Sequence, residues 1–88
     1  MKDLENARKK IEEIDEAMAK LFEERMKESL NIALYKKEHN LPVYDKTRED
    51  FLINKNTKYI NSDELKKHYQ EFLISLMNIS KNYQKENM

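Results

Sequence analysis

The longest uninterrupted feature of this sequence is its first 39 residues, which contain neither proline nor glycine. Glycine is absent from the whole chain, and Pro42 is its only proline. Apolar residues recur in this stretch at the three- and four-residue intervals of one helix face. They are Leu4, Ala7, Ile11, Ile14, Met18, Leu21, Ile32 and Tyr35. The pattern predicts a single helix from about Asp3 to about His39.

Two further helices are predicted after Pro42, which ends helical continuation. Asp45 is placed to cap a second, shorter helix over residues 46–59, whose buried side would be Phe51 and Leu52 with the stem of Lys55. Ser62, preceded by an asparagine and followed by two acidic residues, is placed to start a third helix over residues 63–84. No stretch alternates between apolar and polar residues as a strand would, so the prediction is an all-α chain.

The predicted first helix is too long for a globule of 88 residues. A helix of this length forms a rod of about 55 Å. A compact chain of the same size has a radius of gyration of about 12 Å. The apolar face continues along the part of the helix that extends beyond the other two helices. A second copy of the chain is the simplest partner that would bury this face. The sequence therefore predicts a single domain over residues 1–88 that forms an intertwined helical homodimer. Periodicity alone leaves open an extended coiled-coil hairpin without any site.

Charge and composition exclude several classes of function. The 17 basic and 17 acidic residues leave no net charge to attract nucleic acid or an acidic membrane. The absence of cysteine excludes disulfides and thiolate metal sites. No segment resembles a signal peptide, and no apolar run approaches the roughly 20 residues needed to span a bilayer. We expect a cytoplasmic, soluble protein with no nucleic-acid or membrane partner.

Three basic residues of the first helix are candidates for anion binding. Arg25 interrupts the apolar face, where an unpaired charge is costly to bury. Lys36 lies close to three turns later on nearly the same face, about 16 Å away, which leaves a gap suited to a small dianion. Each residue alone could instead be a snorkelling side chain. Arg8 lies about 25 Å before Arg25 and points elsewhere, so it could join Arg25 only in the site of an antiparallel partner.

Polar residues also share faces of the two later helices. At the second helix, Asp45, Arg48 and Glu49 share one face with Leu52, and the simplest interpretation is a cap with an exposed ion pair. On the third helix, Ser80 and Gln84 lie one turn apart, and Ser80 continues an inward apolar row. Uncharged polar groups on an inward row need hydrogen-bond partners, which are either structural groups or a ligand.

Taken together, these residues resemble the small all-helical chorismate mutases over almost the whole chain. Three stretches resemble the first helix of that family: Leu4-x-x-x-Arg8-x-x-Ile11-x-x-Ile14-Asp15, Leu21-x-x-x-Arg25 and Tyr35-Lys36. The connector and the start of the second helix are matched by Leu41-Pro42-Val43-x-Asp45-x-x-Arg48-Glu49. The end of the third helix is matched by Ser80-x-x-x-Gln84.

The resemblance implies a homodimer with two sites that converts chorismate to prephenate, in the biosynthesis of phenylalanine and tyrosine, without cofactor or metal. Arg25 and the partner's Arg8 would bind the two substrate carboxylates, with help from Ser80. Lys36 and Gln84 would contact the ether oxygen of the breaking bond. The catalytic residues that the resemblance implies are Arg8, Arg25, Lys36, Glu49 and Gln84, and Ser80 would only bind the substrate.

The resemblance also assigns the remainder of the pocket. Glu49 and the backbone around Asp45 would hold the ring hydroxyl, and Arg48 would help to position Glu49. The apolar walls would be Ile32, Leu52 and Met77. A register shift of one residue would replace Ser80 and Gln84 by Lys81 and Lys85. We prefer the former pair because it continues the inward row.

The reaction is an intramolecular rearrangement that requires neither a nucleophile nor proton transfer. This chemistry agrees with a sequence that lacks cysteine, a His-carboxylate metal pattern and a glycine-rich phosphate loop. Two alternatives on the same scaffold remain. One is an isochorismate pyruvate-lyase, and the other is a helical dimerisation module without catalysis.

Overall fold

The computed structural model describes residues 2–88, which form three α-helices and no strand. Helix α1 spans Lys2–Glu38, α2 spans Lys46–Thr57 and α3 spans Asp63–Glu86. The all-α prediction with one very long first helix is confirmed, and the predicted bounds agree within about two residues. The homodimer stays a prediction, because the structure contains a single chain.

Asn40 ends α1 by adopting the left-handed conformation, with φ of 52°. The Leu41 N–H donates to the Lys36 carbonyl over 2.8 Å, and the Asn40 N–H donates to the Lys37 carbonyl over 3.4 Å. These two bonds form a Schellman motif, which satisfies carbonyls at the helix end. Asparagine is the usual substitute for glycine at such a position, and this chain contains no glycine.

The two later helices begin at the positions predicted from sequence. The Asp45 side chain accepts a hydrogen bond of 3.0 Å from the Arg48 N–H, which confirms the predicted N-cap. Ser62 occupies the N-cap position of α3, but its side chain makes no capping hydrogen bond. Asp63 in the first turn instead forms an ion pair of 2.9 Å with Lys66.

Helix α3 packs against both other helices. Arg25 bonds to Ser80 and Ser29 bonds to Gln84, and both pairs are 55 residues apart, so α1 and α3 run parallel at their contact. The buried apolar residues of the described chain are Ala33, Leu73 and Met77. The prediction that Phe51 is buried on α2 is wrong for the protomer. Its ring is 49% exposed and lies beside the side chains of Arg48 and Lys55.

The protomer is elongated, with principal extents of 56 × 25 × 15 Å. Its radius of gyration of 16.2 Å exceeds the value of about 12 Å expected for a compact chain of this length. Every residue from 2 to 24 is exposed, so the first half of α1 projects away from the other helices. None of the helices formed by residues 2–88 is both long enough and apolar enough to cross a membrane.

Candidate active site

A cavity of about 300 Å³ lies between the second half of α1, the connector, α2 and the end of α3. Residues from all four segments line it because α3 packs on both other helices. Seven of the eight residues predicted for the site line this cavity: Arg25, Lys36, Asp45, Arg48, Glu49, Ser80 and Gln84. The three residues predicted as apolar walls also line it: Ile32, Leu52 and Met77. The structure thus brings together residues that the sequence separates by up to 59 positions.

Arg25 enters the cavity from α1 and donates from Nη1 to Oγ of Ser80. Burial lowers the pKa of the Arg25 guanidinium from its ordinary value, and the nearby Tyr69 opposes this effect. The group remains charged, because an arginine is not deprotonated in a protein. No carboxylate within residues 2–88 forms an ion pair with it. A partly desolvated cation without an anionic partner is a favourable place for an anionic ligand.

Gln84 is 7% exposed, and its side-chain amide makes fewer hydrogen bonds than it could. Its Nε2 donates to Oγ of Ser29 over 3.0 Å. Its buried Oε1 has no partner among the described residues. The Ser29 hydroxyl can donate as well as accept, so a half-turn of the amide would pair Oε1 with Ser29 and leave Nε2 without a protein partner. An incompletely bonded buried amide at a cavity wall indicates a ligand partner.

Ser29 is a cavity residue that the sequence analysis missed. It is buried on α1, one turn after Arg25, and carries the hydrogen bond that orients Gln84. The available signal was its spacing, because a residue four positions from Arg25 lies on the same helix face. Serine is common on helix surfaces, however, and its burial follows only from the packing of α3.

Lys36 lines the cavity three turns after Arg25. Its Nζ donates to the Val43 carbonyl over 2.8 Å. This hydrogen bond joins the end of α1 to the connector, whose direction the Schellman motif reverses. This bond uses one of the three protons of the ammonium group. Two protons therefore remain for other acceptors, and the cation is held in place at the cavity wall.

The acidic residues of the α2 side have different partners. Asp45 uses its carboxylate as the N-cap of α2. Glu49 forms an ion pair from Oε2 to Nζ of Lys81 over 3.0 Å. We expected Arg48 to position Glu49, but the guanidinium of Arg48 instead lies 5.2 Å from the centre of the Phe51 ring. The residue that contacts Glu49 is therefore Lys81, which the sequence analysis considered only as a shifted substitute for Ser80.

Arg8 is exposed and does not line the cavity. It lies on α1 about 25 Å before Arg25, because each helical residue advances the axis by about 1.5 Å. One straight helix cannot bring both residues to one small ligand. An Arg8 could reach this cavity only from a second chain.

The charges around the cavity favour an anion. Its lining contains four cationic and three carboxylate side chains, so the net charge is +1. The cations are Arg25, Lys36, Arg48 and Lys81, and the carboxylates are those of Glu28, Asp45 and Glu49. Nowhere in the described chain do three histidine or acidic side chains converge as a metal site would require.

These features define a class: a small helical protein whose three helices surround a cavity with an excess of cationic side chains. The family model for type II chorismate mutase matches residues 7–85. The chain therefore belongs to the type II chorismate mutase family, as the sequence resemblance indicated. A search of curated proteins and a search of solved structures each gave no match.

Proposed function

We propose that this protein is a homodimeric chorismate mutase that converts chorismate to prephenate in the biosynthesis of phenylalanine and tyrosine. Membership of the type II family supports chorismate mutase activity in general. The observation that carries the proposal is the convergence of Arg25, Lys36, Ser80 and Gln84 on one cavity. Arg25 has no carboxylate partner within the described chain, and the Gln84 amide, which makes one hydrogen bond to Ser29, keeps capacity for a ligand.

The first contribution to catalysis is orientation of the substrate. Chorismate is a flexible dianion that must adopt a compact, chair-like geometry before its reacting carbons can approach. Arg25 and the partner's Arg8 would each bind one carboxylate, since a planar guanidinium pairs with a carboxylate through two parallel hydrogen bonds. Ser80, already in contact with Arg25, would assist at the carboxylate. Such restraint converts binding energy into a lower barrier.

The second contribution is electrostatic. Negative charge develops on the ether oxygen as the C–O bond breaks and the new C–C bond forms. Lys36 and the Nε2 of Gln84 would donate to that oxygen, and both are held in advance by bonds to Val43 and Ser29. Donors directed at a charge that grows in the transition state bind it more tightly than the ground state. No cofactor or metal takes part in this step.

The remaining residues of the cavity would bind the substrate ring. Glu49 and the backbone near Asp45 would hold the ring hydroxyl, and Arg48 would contribute to the same region. The ring itself would lie against the apolar walls, which are Ile32, Leu52 and Met77.

Dimerisation would complete the site. The +1 charge of the cavity lining becomes +2 when a partner contributes its Arg8, which matches a ligand with two carboxylates. Every residue from 2 to 24 of α1 is exposed, and apolar side chains recur there at helical spacing, so this segment offers the surface through which a second chain would pack.

The direct test is to mix the purified protein with chorismate and to measure the loss of chorismate and the appearance of prephenate. We expect turnover in the wild type and its loss in Arg25→Leu. Isochorismate, tested in parallel, should be a poor substrate. Lyase activity on isochorismate without mutase activity would instead identify the sister enzyme. A coiled coil without a site would show no activity, and Arg25→Leu would then only raise its stability.

A further inference from the structure

Lys81 makes contacts that the proposed mechanism does not use. It follows Ser80 on α3, and its Nζ lies 3.0 Å from Oε2 of Glu49 on α2. The same Nζ lies 4.7 Å from the centre of the Tyr44 ring, within the range of a cation–π contact. Tyr44 directly precedes Asp45 in the connector. One lysine therefore joins α3 to both the connector and the start of α2.

The Lys81–Glu49 pair differs from the other ion pairs of the described chain. Those pairs join residues three or four positions apart on one helix, and their side chains are 40–93% exposed. The side chains of Lys81 and Glu49 are only 23% and 22% exposed, and they come from different helices. Both line the cavity. A pair in this position acts on a ligand more strongly than a surface pair, because water screens it less.

A carboxylate in this cavity presents a physical conflict. It is the best acceptor for a ligand hydroxyl, because a hydrogen bond to a charged acceptor is stronger than one to a neutral acceptor. It also repels a dianion held a few ångströms away, and partial burial strengthens that repulsion. The ammonium of Lys81 offsets the negative charge of Glu49 while occupying only Oε2, so that Oε1 keeps its capacity to accept a hydroxyl proton.

We infer that Lys81 is a positioning residue that neutralises and orients Glu49 so that it accepts the hydroxyl of a dianionic substrate. This inference rests on the proposed function, which supplies the hydroxyl and the two carboxylates. The face of the Tyr44 ring gives the same ammonium a second contact. Glu49 contacts the ligand, and Lys81 acts through Glu49.

The experiment compares steady-state chorismate kinetics of the wild type with three variants at low ionic strength. Lys81→Met removes the charge but keeps the length of the side chain. Lys81→Arg keeps the charge and should keep KM close to the wild-type value. Lys67→Met is the matched control, because it removes an exposed lysine of the same helix that does not line the cavity. We expect Lys81→Met to raise KM about tenfold with a smaller change in kcat, and Lys67→Met to match the wild type.

A double-mutant cycle with Glu49→Gln separates this role from a merely structural one. Without a charge at position 49 there is nothing to neutralise, so adding Lys81→Met to Glu49→Gln should change KM by less than about twofold. An equal effect of Lys81→Met in both backgrounds would overturn the inference. If the methionine variant fails to give a helical circular dichroism spectrum, Lys81→Gln provides the same loss of charge with a polar side chain.

The outcomes distinguish this inference from the proposed function. A wild-type protein without mutase activity overturns both. An active wild type whose KM is unchanged by Lys81→Met overturns only the role of Lys81. Loss of activity in Lys67→Met as large as that in Lys81→Met would also overturn it, because the effect would then follow from general surface charge.

Discussion

At the residue scale, the cavity is built from polar side chains at positions that would otherwise suit apolar ones. Ser29, Ser80 and Gln84 are buried where α1 meets α3, and Arg25 enters the same contact. Polar groups in such a contact lower the free energy gained by packing, unless they are bonded to one another or to a ligand. Here they bond in pairs and still leave the Gln84 Oε1 and the Arg25 charge incompletely satisfied. That remaining capacity supports the assignment of a ligand site.

Lys36→Ala tests the electrostatic part of the mechanism. We expect kcat to fall by about 10²–10³, the usual effect of removing one donor from a developing negative charge. Far-ultraviolet circular dichroism should remain that of the wild type, because the side chain makes only one hydrogen bond, to Val43.

Lys37→Ala is the control for that experiment, since Lys37 is exposed on the adjacent position of α1 and does not line the cavity. It should retain wild-type turnover. If Lys36→Ala also turned over chorismate at nearly the wild-type rate, Lys36 would have no part in the chemistry.

At the element scale, the end of α1 matters because it places Lys36 and the connector. In the Schellman motif the carbonyls of Lys36 and Lys37 accept backbone hydrogen bonds. The chain then reverses direction, so that the Val43 carbonyl accepts a hydrogen bond from the Lys36 ammonium. The left-handed conformation of Asn40 makes this return possible. The cavity therefore depends on one backbone position that lies outside it.

Substitutions at Asn40 test this dependence. Asn40→Ala should lower the free energy of unfolding by roughly 1 kcal/mol, because a Cβ without a compensating side-chain hydrogen bond disfavours the left-handed region. Asn40→Gly should be more stable than Asn40→Ala and close to the wild type, since glycine adopts positive φ without a steric penalty. Urea unfolding of the three proteins measures the difference. Equal stability of the alanine and glycine variants would show that the positive φ of this residue does not affect the free energy of unfolding.

At the scale of the whole molecule, the protomer leaves much apolar surface in water. Eighteen large hydrophobic side chains among residues 2–88 are exposed, and several lie on the projecting half of α1. A soluble monomer seldom exposes so many large apolar side chains, and a chain of this length has little core of its own. A second copy would cover the rod and would at the same time bring an Arg8 to each cavity.

Complementation between two inactive variants tests the shared site. Arg8→Ala and Arg25→Ala should each be inactive as homodimers. When they are denatured together in equal amounts and refolded, half of the dimers are mixed, and each mixed dimer has one intact site. The mixture should therefore recover roughly one quarter of the wild-type activity.

The same variants refolded separately and then combined without denaturation serve as the control, and they should stay inactive if the dimers do not exchange. A refolded mixture no more active than its parents would show that Arg8 and Arg25 do not act on one ligand from different chains. Analytical ultracentrifugation of the wild type gives the oligomeric state independently.

The sequence by itself determined the helices, their approximate ends and the cations of α1, because helix formation and helical periodicity depend on residues a few positions apart. It also determined the family, since the family's polar residues recur at a characteristic order and spacing along the sequence. Asp45 as an N-cap and the single long rod are consequences of local chemistry.

Only the tertiary structure decided which side chains meet between helices. The pairing of Ser29 with Gln84 and of Glu49 with Lys81 depends on how each helix is rotated about its axis when α3 packs on α1 and α2. No local pattern specifies that rotation, because it is set by the combined packing of all three helices. For the same reason the exposure of Phe51 could not be predicted from its place on the apolar face of α2.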